Sequence, residues 1–221
     1  ILILVIIIYF FFYRLLLNRS FLYYILYVLS VLILQLSLDG YVFKYVFSQG
    51  GYLANHCVLF VASLTVMFLI LYAKTYLNTK ENSKRINKLF NFSMWAMAVF
   101  MLASFIPGKP YQLAFPGING LGLLGVILIL IAIFSVRKKG VKVSAYFTWA
   151  FIFLITGAML FILGNFNLLN NDALTSNALK TGSVMEIIAL SVSMAYKYRE
   201  LQQEKELAQA GALINLEQRN K

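Results

Sequence analysis

Seven runs of apolar residues divide the chain, at 1–17, 20–38, 52–76, 89–106, 118–136, 143–163 and 181–198, with short polar or turn-forming stretches between them. Each run approaches the ~20 residues that a helix needs to cross the hydrocarbon core of a bilayer. Lipid cannot solvate a bare backbone amide, so runs of this length predict helices, whose hydrogen bonds are internal. The shorter alternating segments of a β-barrel do not occur. Asp39-Gly40 closes the second run and Pro107-Gly108 the fourth. A second Pro-Gly pair, Pro116-Gly117, predicts that the next loop ends there and that the fifth helix starts at Ile118. The expected fold is an all-α integral membrane bundle of seven transmembrane helices.

The last run passes without a break into a segment rich in Glu, Gln and Lys. Two units are therefore expected: a membrane domain at 1–198 and a projecting helix at 199–221. A narrow stripe of Met194, Tyr198, Leu201, Ala208 and Ala212 follows coiled-coil spacing. Lys205 stands where the next hydrophobe belongs, Leu207 and Ile214 fall off the stripe, and Gly211 weakens the helix by about 1 kcal/mol. Met194, Tyr198 and Leu201 are the candidate relay residues. The stripe reads either as a dimeric signalling helix that changes packing or as a solvated juxtamembrane helix. The first run starts without a methionine, and Arg14 and Arg19 follow its apolar stretch instead of preceding it, unlike a secretory leader. The chain thus reads as a piece of a longer protein.

Composition and charge turn this pattern into a topology. With 61% hydrophobic and 12% charged residues, the 221-residue chain has more apolar surface than a water-soluble domain can hide. Of its 19 Lys and Arg residues, only Lys44, Lys109 and Lys180 fall in the second, fourth and sixth connections. The others flank the first, third and fifth connections or lie in the tail. The positive-inside rule then predicts an outside N-terminus and a cytoplasmic C-terminus. The net charge of +11 follows from that topology and from anionic lipid headgroups, so no nucleic-acid partner is expected. The bilayer is the expected surroundings.

Few residues offer chemistry. Glu186 lies about one turn into the seventh span, where a carboxyl group is costly and faces the protein interior. With Ser183 it forms a candidate site, either a polar switch or an interhelical hydrogen bond to Ser or Asn side chains near the outer interface; the shallow depth and the lack of a basic partner favour the second. His56 and Cys57 fall short of the three or four ligands of a metal site, and one cysteine allows no internal disulfide. In the 39–51 connection, Asp39, Tyr41, Phe43 and Tyr45 form a candidate outside docking loop, or an aromatic belt lying on the headgroups. Lys180 precedes the seventh span, which excludes a retinal Schiff base at mid-helix. Gly120, Gly122 and Gly125 open an apolar span without the strand context of a phosphate loop and suit close helix approach instead. No hydrolase triad, metal motif or nucleotide site is present, and no cofactor is expected. A small-molecule transporter or membrane-embedded enzyme stands as the alternative function, although the spans carry little of the converging polarity that it needs.

The segments QLSLDGYVFKYV (35–46) and GSVMEIIALS (182–191), the latter followed by a charged helix, resemble the bacterial seven-transmembrane receptors with diverse intracellular signalling modules. The resemblance covers essentially the whole chain. It implies a multi-pass transducer of the bacterial inner membrane, with an outside sensory domain and a cytoplasmic histidine kinase, cyclase or similar output module on the same polypeptide. Homodimerisation through the tail is a further expectation, and any catalysis would lie outside these residues.

Overall fold

The computed structural model describes residues 2–47, 52–165 and 177–219, with the backbone alone at 52–55, 161–165 and 212–219. Seven long helices account for most of these residues: α1 (Leu2–Leu16), α2 (Arg19–Leu38), α4 (Tyr52–Tyr76), α6 (Lys84–Ala103), α7 (Lys109–Arg137), α8 (Ala145–Asn165) and α9 (Ala178–Arg219). Two short ones, α3 (Tyr41–Tyr45) and α5 (Thr79–Asn82), sit in connections. Five of the long helices, α2, α4, α6, α7 and α9, are long and apolar enough to cross a bilayer by length and composition; α1 and the Ala145–Leu160 part of α8 are shorter apolar helices.

Local chemistry explains most boundaries. Leu17 takes a positive φ of 51°, and the Asn18 side chain then accepts the Ser20 N–H at 2.9 Å to cap α2. Gly40, at φ 80°, turns the chain from α2 into α3. Tyr41, Phe43 and Tyr45, which alternate in sequence, therefore lie on a helical turn and not on an extended strand.

The fifth span departs from expectation. Pro116-Gly117 does not close a loop, because α7 begins at Lys109 with Pro110 in its first turn and carries Pro116 inside. Proline removes one helical hydrogen bond, and the Asn119 side chain donates to the Phe115 carbonyl at 2.9 Å in the same turn. Gly117 is there for packing: a Cβ on it would lie 2.5 Å from the Phe100 ring of α6. Gly125 likewise meets Ile70 of α4, and Gly122 meets Val66, whereas Gly120 faces open space.

The bundle is organised as close helix pairs, α8 with α9, α2 with α4, α6 with α7 and α1 with α2, and α4 also touches α6 and α7. The main core joins Tyr9, Phe21, Tyr24, Ile70, Ile133, Phe147, Phe151, Ile187 and Met194. A smaller one holds Leu59, Met97, Ala114 and Ile118. Phe92, Trp95, Val99 and Leu102 form an exposed stripe along α6 at helical spacing. A water-soluble protein would bury such a stripe; here it suits lipid.

Two ends of the bundle can be told apart. At one, Lys139 donates to the Asn82 carbonyl, joining the α7–α8 turn to α5, and Phe12 of α1 stacks on Tyr198 of α9 at 4.6 Å. The basic residues around the first, third and fifth connections gather at this end. At the other, Lys180 pairs with Asp39, and His56 packs edge-on against Tyr111 at 4.9 Å.

Candidate functional site

The last helix is held in an unusual way. Among the described residues its backbone packs far more extensively on α8 than on α1 or α2, at a crossing that depends on two glycines. A Cβ on Gly157 would lie 2.7 Å from the Ala178 carbonyl oxygen, and one on Gly182 would lie 2.9 Å from the Gly157 Cα. Toward α1, α2 and α4 the contact is made by long side chains, and most of these are tyrosines.

Four phenols from three helices bond to α9, and a fifth is buried beside them. Tyr27 of α2 donates to Glu186 Oε2 at 2.7 Å. Tyr24, one turn away on the same helix, donates to the Ile187 carbonyl at 3.0 Å and shares a hydrogen bond with Ser191 Oγ at 2.8 Å. Tyr9 of α1 donates to the Ser191 carbonyl at 2.5 Å, and Tyr76 of α4 shares a bond of 2.7 Å with Ser193 Oγ. The fifth, Tyr72 of α4, is fully buried, and its hydroxyl has no hydrogen-bond partner among the described residues.

The rings touch one another. Tyr9 meets Tyr24 edge-on at 5.0 Å, Tyr24 leans on Tyr72 at 5.2 Å, Tyr72 on Tyr76 at 5.8 Å, and Tyr76 stacks flat on Phe147 of α8 at 4.1 Å. The result is a collar of aromatic rings linking α1, α2, α4 and α8, with hydroxyl groups aimed at one face of α9. That face, Ser183, Glu186, Ile187, Leu190, Ser193 and Met194, is buried and repeats every three to four residues.

Glu186 is the acidic member. Expected to face the protein interior, it is fully buried, and its hydrogen-bond partner across the helix gap is a tyrosine in place of the Ser or Asn anticipated. Its Oε1 has no hydrogen-bond partner among the described residues. Ser183 does not join it: the Ser183 hydroxyl bonds back to the Leu179 and Lys180 carbonyls of its own helix, at 2.9 and 3.0 Å.

The other candidates fall elsewhere. Asp39 pairs with Lys180 at the far end of α2, and Tyr41 stacks on Tyr45 at 6.4 Å, both rings exposed and Phe43 half-buried. This aromatic turn does not meet the collar. Of the relay stripe, Met194 is buried, and Tyr198 and Leu201 pack against the core of their own bundle. The stripe is open only farther out: residues 202–211 are all exposed, Ala208 among them, while the Ala212 side chain lies outside the described residues. His56 is buried between aromatic rings, and no cluster of three metal-ligating side chains occurs among the described residues.

The collar was not anticipated, yet a signal for it exists. Tyrosine belongs at the membrane–water boundary, where its hydroxyl is wet; Tyr9, Tyr24, Tyr27 and Tyr72 lie well inside apolar runs and so need partners within the bundle. Spacings of three between Tyr24 and Tyr27, and of four between Tyr72 and Tyr76, put each pair on one helical face. The side of α9 that receives them could not be read from composition.

Comparison with curated proteins finds no match, and comparison with solved structures finds none either. A family model does match, that of 7TM diverse intracellular signalling, over residues 1–197, which is the bundle with its collar and the whole membrane part of α9. The chain belongs to the 7TM diverse intracellular signalling family.

Proposed function

We propose that this membrane signalling domain transmits an external stimulus to a cytoplasmic output module by moving α9 against the tyrosine collar. The observation that carries the reading is the continuity of α9 from Ala178 to Arg219, gripped by phenols along 186–193 and exposed over 202–211. A helix is stiff along its axis, so a shift or rotation within the bundle appears unchanged in the projecting part.

The energetics suit a switch. Interhelical hydrogen bonds in membranes average only ~0.6 kcal/mol each, because the competing states also find partners. The collar's five bonds therefore total about 3 kcal/mol, comparable to the gap between two populated conformations. Serine hydroxyls and helix carbonyls recur along α9, so the same phenols can bond again after a small displacement. Tyr72, whose hydroxyl has no partner among the described residues, is positioned to take up a bond in the second arrangement.

In this reading the N-terminus faces outside and the basic end lies in the cytoplasm of a bacterial cell, as the distribution of Lys and Arg supports. A sensory domain outside and a kinase, cyclase or similar module inside belong to the same polypeptide, and two copies pair through the exposed tail. The test is a one-residue insertion after Arg199 in the intact protein, which rotates everything downstream by about 100°. Output should become inverted or unresponsive; regulation like that of the wild type would sink rigid helical coupling.

A further inference from the structure

A cavity of about 370 Å³ opens at the basic end of the bundle, walled by Tyr76, Lys142, Ser144, Tyr196, Lys197 and Glu200. A second, of about 230 Å³, shares Tyr76, Lys142, Lys197 and Glu200 and extends to Asn78 and Asn82. Together they form one cleft around two ammonium groups and a single carboxylate.

Its height in the bundle is fixed by the helices that border it. Here α4 ends at Tyr76, α7 at Arg137, and α8 begins at Ala145, so the cleft lies where the spans meet the headgroups. Tyr146 and Tyr196 stack at its lip at 5.6 Å, as aromatic side chains do at that boundary. Arg137 donates to the Val143 and Ser144 carbonyls at 3.2 and 3.4 Å, pinning the strand of chain that forms one wall. The first turn of α8 starts at this wall, and its backbone N–H groups, unbonded within the helix, add partial positive charge. Lys142 makes no ion pair among the described residues, while Lys197 reaches Glu200 at 2.7 Å.

We propose that this cleft binds an anionic phosphate group, with Lys142 and Lys197 both reaching it and Lys197 exchanging Glu200 for the ligand. The size suits a lipid headgroup, and the level presents the site to phosphodiesters of the adjacent leaflet, whichever side that leaflet faces. Because Lys197 belongs to α9 and Lys142 to the approach to α8, an occupied cleft ties the root of the projecting helix to the bundle.

The probe is phosphatidylglycerol with a fluorescent acyl chain, titrated against the intact protein in neutral detergent. Lys142→Gln with Lys197→Gln should bind it about thirtyfold more weakly, the effect of two charges at a membrane surface. Glu200→Gln, which frees Lys197, should bind it more tightly and serves if the double variant does not fold. A control with the same charge removed elsewhere on this end, Lys84→Gln with Lys88→Gln, should stay within about twofold of the wild type. Equal losses in both double variants would overturn the proposal, since bulk charge would then hold the lipid; so would unchanged binding in the cleft variant, or weaker binding in Glu200→Gln. Displacement by millimolar inorganic phosphate would support the site with a free anion as its ligand, and persistence of the lipid would support it with a headgroup.

Discussion

At the scale of single residues the collar separates hydroxyl groups that are used from one that is not. Tyr27→Phe removes the one hydrogen bond that reaches the Glu186 carboxyl group among the described residues. Leaving a buried polar group unsatisfied costs about 1–3 kcal/mol. Glu186→Gln keeps an acceptor for the Tyr27 hydroxyl and should cost less. Tyr72→Phe deletes a hydroxyl that has no partner among the described residues, so stability should be unchanged or rise. Thermal unfolding in one detergent, followed by the intrinsic fluorescence of Trp95 and Trp149, ranks the three variants. A Glu186→Gln loss as large as that of Tyr27→Phe would show that the carboxyl group itself matters beyond its role as acceptor. Glu186 was conspicuous in the sequence because carboxylates are rare in apolar runs. Its partner was not, since a tyrosine in an apolar run looks like any other large side chain until the facing helix is known.

Among the helices, the α8–α9 crossing and the free end of α9 make opposite demands on glycine. A Cβ at Gly157 or Gly182 runs into backbone atoms, which cannot rotate away. Gly182→Ala should therefore push the two helices apart and destabilise the bundle by about 1–3 kcal/mol, the usual cost of overpacking. Gly211 has nothing within 4 Å, and Gly211→Ala should stabilise the projecting helix by about 1 kcal/mol. Unfolding midpoints read the first change, and far-ultraviolet circular dichroism on heating reads the second. Opposite signs are expected; a neutral Gly182→Ala would mean that α8 and α9 do not need this close approach. Most helix boundaries were legible because capping and turn residues act within a few positions of where they stand. Pro116-Gly117 misled for the same reason: the pair is a strong local stop signal, but the fit of Gly117 against Phe100 is a contact between α6 and α7 and overrides it.

For the whole molecule, orientation is the property that charge alone predicts. In a Cys57→Ser background, Lys44→Cys should react with a membrane-impermeant maleimide in intact cells, and Lys139→Cys only after the membrane is opened. The reverse pattern would invert the topology and every assignment of outside and inside made from it. The amino-acid sequence by itself determined that the chain lives in lipid, that it is helical, where its long helices run apart from the start of the fifth, and that the last one continues as a charged helix. Those properties follow from transfer free energies and backbone hydrogen bonding, which sum along the chain and need no knowledge of neighbours. Only the tertiary structure decided which faces of the helices meet. It alone joined four tyrosines from α1, α2 and α4 to one side of α9, seated Glu186 under Tyr27, and opened a basic cleft between the starts and ends of helices distant in sequence. Apolar helices offer one another many nearly equivalent faces, and the choice among them rests on the shapes of glycine notches and aromatic rings, which composition and periodicity do not record.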